Sequence, residues 1–151
     1  MRRLASVAVA AILLLGSGCS THPVPTPMEH VAIRVPDPGA FVAWWTGNLG
    51  FRVTMKRPGG SAFIVDSNGH VAFEVYGPDK DHPAPNYWTE DILRLHFGFT
   101  SEDVDADIRR LVDAGAKLEI HNVTPGFEEA VLRDPFGLVI QLVKRERSVL
   151  R

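Results

Sequence analysis

The chain has almost no cysteine: Cys19 stands alone among 151 residues. No intrachain disulfide can form, and no thiolate can join a metal site further along the chain. Positive charge is not in excess either. The formal net charge is −2, which gives no electrostatic case for nucleic acid as a partner. The third lack is an apolar run long enough to cross a bilayer, which takes about 20 residues. The apolar stretch Leu4 to Leu15 holds only 12. What is present is ordinary for a soluble globule, with 45% hydrophobic and 23% charged residues. The length suits one domain that buries roughly two-thirds of its unfolded surface.

Arg2-Arg3, the short apolar run and the small-residue stop Gly16-Ser17-Gly18-Cys19 read as a signal peptide. A cysteine straight after small residues resembles a bacterial lipoprotein lipobox, although Gly16 stands where leucine is usual. The resemblance implies that residues 1–19 are the signal and lipobox and that a lipid on Cys19 is the sole membrane attachment. The protein would then sit in the cell envelope, on the periplasmic or extracellular side. An ordinary cleaved secretion signal and an uncleaved anchor are the rival readings. Residues 20–27, Ser-Thr-His-Pro-Val-Pro-Thr-Pro, form a proline-rich tether.

From residue 28 to residue 145 the pattern repeats itself. Strand Glu29 to Val35 leads through Asp37-Pro38, a cap with proline at the first helical position, into a helix. Phe41, Trp44, Trp45 and Leu49 form its apolar stripe and Gly50 stops it. Strands Phe51 to Lys56, Ser61 to Asp66 and His70 to Tyr76 follow, and the connector Gly77 to Asp91 separates the halves. The second half runs strand Arg94 to Thr100, cap Ser101, and a helix opened by Glu102 and Asp103. Val104, Ile108, Leu111 and Val112 are its stripe, and Gly115 is its stop. Lys117 to Val123, Glu129 to Arg133 and Leu138 to Lys144 complete it, and 146–151 are a tail. The offsets agree: His30 to His96 is 66, Gly50 to Gly115 is 65, and Glu74 to Gln141 is 67. The fold class is therefore α+β, two βαβββ modules forming a curled eight-stranded sheet around a concave pocket with helices outside.

Strand alternation assigns faces. Val31, Ile33 and Val35 oppose His30, and Phe73 and Val75 oppose Glu74. Phe97 and Phe99 oppose His96, and Ile140 and Leu142 oppose Gln141. With the apolar faces under the helices, His30, Glu74, His96 and Gln141 share the helix-free face and form the floor of the expected pocket. Arg34, Tyr76 and Arg94 share it too, as rim ion pairs or as ligand contacts. Trp44 and Trp45 are read as core, and Tyr87 and Trp88 as a lid or an edge cover. His22, His70, His82 and His121 are read as surface.

These features resemble the vicinal oxygen chelate superfamily of glyoxalases, extradiol dioxygenases, fosfomycin-resistance thiol transferases and bleomycin-resistance proteins. The residues that carry the resemblance are His30-Val31-Ala32-Ile33-Arg34-Val35-Pro36-Asp37, Asn48-Leu49-Gly50-Phe51, Phe73-Glu74-Val75-Tyr76 and Asp134-Pro135-Phe136-Gly137. The resemblance implies metal ligands at His30, Glu74, His96 and Gln141, for Zn²⁺, Ni²⁺, Mn²⁺ or Fe²⁺. It implies a small-molecule substrate with two adjacent oxygens, in lyase, isomerase or dioxygenase chemistry. Gln141 stands where many members have glutamate. An amide can ligate through oxygen but accepts no proton, so Glu74 takes the catalytic role as the one carboxylate of the set. The alternative is a non-catalytic module that binds a small ligand or an antibiotic in the same place. Many relatives pair their modules in a homodimer, sometimes with the site built across subunits.

Overall fold

The computed structural model describes residues 27–147 and Val149. The expected signal peptide, residues 20–26 of the tether and most of the last four residues lie outside them. No helix among the described residues is long and apolar enough to cross a membrane.

The first module starts with β1 (Val31–Arg34). Asp37 then caps α1 (Pro38–Asn48), its carboxylate accepting a hydrogen bond from the Ala40 amide at 2.9 Å. Gly50, at φ +72°, turns the chain out of the helix. Strands β2 (Arg52–Lys56), β3 (Ala62–Val65) and β4 (Ala72–Tyr76) follow, and β1 lies parallel beside β4 in the order β1-β4-β3-β2. The second module repeats this with β5 (His96–Thr100), α2 (Val104–Asp113), β6 (Lys117–Thr124), β7 (Phe127–Arg133) and β8 (Val139–Arg145), in the order β5-β8-β7-β6. Two βαβββ modules are thus present, as two four-stranded sheets that no ladder closes into a barrel.

Three local expectations are corrected. Asp103, rather than Ser101, caps α2, accepting from Ala106 N at 2.9 Å. The Ser101 amide is committed to Val143 O at 2.9 Å, which prolongs the β5–β8 pairing, and its hydroxyl donates to Asp107 at 2.7 Å. The acidic residues of the first turn are therefore Asp105 and Asp107. Val112 is exposed: beside the fully buried Leu111, it falls about 100° round the helix, off the stripe.

Each module has its own buried cluster, and the two clusters meet at a seam. Trp45 is fully buried, stacked on Phe41 with centroids 4.9 Å apart and edge-on to Phe51, Phe73, Phe97 and Phe99. Phe97 and Phe99 belong to the second module, so α1 packs on both. Its other indole, Trp44, donates to Ala114 O at 2.8 Å, and Arg110 of α2 donates to Asn48 O at 2.5 Å. The connector crosses the same seam. Tyr87 donates its hydroxyl to Arg34 O at 3.0 Å, a carbonyl that points away from β4 because Val35 N is the neighbour that bonds Tyr76 O. Trp88 lies on Gly137, and the buried Arg133 grips the carbonyls of Tyr87 and Glu90, each at 2.7 Å. Tyr87 thus covers the outer edge of β1, and Trp88 covers the turn before β8.

Candidate functional site

Ile33, Val35, Phe73, Val75, Ile140 and Leu142 are buried, so their strand neighbours face the other way. His30, Glu74, His96 and Gln141 therefore lie on the helix-free face. In the parallel ladders Ala32 is level with Glu74, and Gly98 is level with Gln141. Each histidine stands two residues before that level, so the two sheets carry equivalent pairs at equivalent positions.

The first pair is in contact. His30 Nε2 is 3.4 Å from Glu74 Oε2. The other ring nitrogen, Nδ1, is hydrogen-bonded to the Glu29 carboxylate, and that bond raises the pKa of His30 above its ordinary value. Arg57 bonds the second Glu74 oxygen at 3.0 Å, with its guanidinium 4.8 Å over the Phe63 ring. The second pair is looser. His96 is exposed at the head of β5, and Gln141 Nε2 donates to Glu129 Oε2 at 2.6 Å.

A divalent ion suits the first pair on chemistry and spacing. Two donors about 2.1 Å from a tetrahedral ion stand about 3.4 Å apart. A carboxylate on the far imidazole nitrogen is the outer partner that metal-binding histidines use to present the near one. Within one chain, however, His30, Glu74 and His96 do not form a group of three. Among the described residues the three-residue group of His, Asp and Glu ligand atoms, all within 4.8 Å, is Asp105, His121 and Glu128. It sits at the first turn of α2 and the β6–β7 hairpin, and His121 Nε2 is 3.0 Å from Glu128. His121 was expected to be plain surface; its partner was legible only from the register that sets β6 against β7.

Of the expected pocket floor, His30 and Glu74 have half-buried side chains. A cavity of about 200 Å³ is lined by Tyr87, Glu90, Arg94, Arg133 and Val139 among others, and a second, of about 390 Å³, by Thr124, Phe127, Arg145 and Glu146 among others. Neither is lined by any of the four residues. Arg34 and Tyr76 stack on each other at 4.9 Å, and Arg94 pairs with Glu90 at 2.5 Å beside the first of these cavities.

Three residues of the site were missed by sequence reasoning: Glu29, Arg57 and Glu129. Glu129 had a readable signal, since it alternates with Ala130 and so falls on the same face as Gln141. Arg57 had none, because it reaches Glu74 from a turn.

Comparison with known families matches residues 28–142 to the description Glyoxalase/Bleomycin resistance protein/Dioxygenase superfamily. Among solved structures, lactoylglutathione lyase from Agrobacterium tumefaciens is 22% identical, with 79% of this chain and 93% of that one covered and a TM-score of 0.57. The fosfomycin resistance protein FosX from Mesorhizobium loti is 12% identical, with 84% and 97% covered and a TM-score of 0.61. The antibiotic binding protein TnmS3 from a Streptomyces species is 22% identical, with 81% and 100% covered and a TM-score of 0.55. At these identities the likeness is one of fold. Comparison with curated proteins gives no match.

Proposed function

The chain belongs to the Glyoxalase/Bleomycin resistance protein/Dioxygenase superfamily, and from that premise we propose that it is a divalent-metal-dependent enzyme for a small substrate with two adjacent oxygens. The observation that carries the reading is His30, held by Glu29 at one nitrogen with the other 3.4 Å from Glu74. The same positions in the second sheet hold His96 and Gln141. His30, Glu74, His96 and Gln141 would hold the ion, which when bound supplies Lewis acidity to the substrate oxygens. Glu74 is the proton acceptor of the set. Arg57 fixes its Oε1 and leaves Oε2 turned toward His30.

Each chain carries two half-sites, and the proposal joins His30 and Glu74 of one copy to His96 and Gln141 of a second copy in a homodimer. A mixing experiment tests this. Neither His30→Ala nor His96→Ala homodimer binds metal at the site, but the mixed dimer recovers one intact site and binds one ion per pair of chains. No recovery on mixing sinks the shared site.

A second reading rests on a different observation. Both Glu74 oxygens already have protein partners, Arg57 and His30. A non-catalytic module that binds a small ligand or an antibiotic on this face needs no ion, and a wild-type protein that takes up no divalent metal favours it. The proposed location is the cell envelope, through a lipid on Cys19. Labelled palmitate should be incorporated by the wild type and not by Cys19→Ser; label in both would refute the anchor.

A further inference from the structure

Gln141 spans two neighbours of β8. Its Nε2 points toward β7, donating to Glu129 Oε2 at 2.6 Å, while its Oε1 points toward β5 and lies 3.8 Å from where a Gly98 side chain would begin. A carboxylate only accepts hydrogen bonds, so the amide cannot be turned round without setting oxygen against oxygen. Glu129 is itself fixed, because Asn122 Nδ2 donates to its other oxygen at 3.1 Å from the neighbouring strand β6. The missing side chain at Gly98 leaves the β5 side of the amide oxygen open, on the strand and face that carry His96. The first module has the matching arrangement with the charge reversed. There the inner-strand residue is a carboxylate, Glu74, and the group holding its outer oxygen is the Arg57 guanidinium at 3.0 Å.

We infer that Glu129 is a positioning residue: by holding the Gln141 nitrogen it presents the amide oxygen beside His96 as a ligand atom. Each half-site then has its own holder, a cation for the acid and an anion for the amide. The inference rests on the reading of these four residues as metal ligands and adds what makes glutamine usable at that position. A neutral partner at 129 would let the amide offer its nitrogen, which carries no free lone pair for a metal. Carboxylate partners behind a metal ligand typically matter 10–100-fold in metal affinity.

The test is a Co²⁺ titration of the full chain, followed by calorimetry and by the visible absorption of bound cobalt. It is run in a His121→Ala background so that the outer Asp105, His121 and Glu128 group does not contribute. Glu129→Gln should weaken affinity about 10–100-fold and change the cobalt spectrum, with apo thermal stability little changed. The swap Glu129→Gln with Gln141→Glu returns an oxygen ligand at 141 and should restore binding. If Glu129→Gln binds as tightly as its parent while His30→Ala loses the ion, the inference is overturned and the metal reading stands. If His30→Ala and His96→Ala both bind like the parent, both are overturned.

Discussion

Asp134 is a carboxylate with no solvent access, in the turn before β8. Burial pushes its pKa up to about 6 from 3.8, against the opposing pull of the Trp45 indole at 2.8 Å and the amides of Phe136 and Leu138 at 2.9 Å. Between those two values the native state holds a proton that the unfolded chain has released. The group therefore stabilises fully below about pH 4, and its contribution falls as pH rises to about 6, by on the order of 3 kcal/mol. Asp134→Asn should remove this part of the pH dependence in urea unfolding; equal slopes for mutant and wild type would refute it. Gly137, three residues on, has φ +88°, and a Cβ there would lie 2.7 Å from the Trp88 amide nitrogen. Gly137→Ala should cost at least about 2 kcal/mol, read as a lower melting temperature. The motif Asp134-Pro135-Phe136-Gly137 was legible as a family mark, but its work was not. The partners Trp45 and Trp88 lie 89 and 49 residues away along the chain, and no local pattern predicts contacts at that range.

Helix α1 was the most legible element, because Asp37-Pro38 and Gly50 bracket it and its stripe has helical spacing. Helix α2 was harder. Ser101 is a good capping residue by type, and only the bond from Ala106 N to the Asp103 carboxylate shows that the helix opens two residues later, with Ser101 still paired to Val143 O. Asp103→Ala should cost about 1 kcal/mol through the cap, while Ser101→Ala should leave helix content unchanged by circular dichroism. In α1, Trp45→Phe keeps most of the stacking but deprives Asp134 of a donor. A loss of about 2 kcal/mol is expected in denaturant unfolding, and a loss under a few tenths would show that the indole contact does not matter. The strands gave up their faces through simple alternation, which is why all four proposed ligands were placed on the helix-free face from sequence. How far apart the two pairs stand was not readable, since alternation is a property of one sheet and says nothing about the angle between two.

At the scale of the whole molecule, the duplication was legible as matching offsets but the seam was not. Trp45 lies among aromatic rings of both modules, Trp44 bonds Ala114, and Arg110 bonds Asn48. Each half has its own buried cluster, and among the described buried residues Leu138 crosses into that of the first module. These seam contacts should make the chain unfold in one transition, read by near- and far-ultraviolet dichroism together; two separate transitions would show that the seam does not couple the modules. The connector has a further consequence. Its later part is buckled down by the Tyr87 hydroxyl, the Trp88 ring and the Arg133 guanidinium, whereas residues 78–83 are all exposed. Slack can therefore be let out on one side of the buckle and not the other. A reporter peptide spliced between Pro78 and Asp79, outside the turn that Asp79 and His82 close, should be carried at little cost, while the same insert after Trp88 would loosen the two modules.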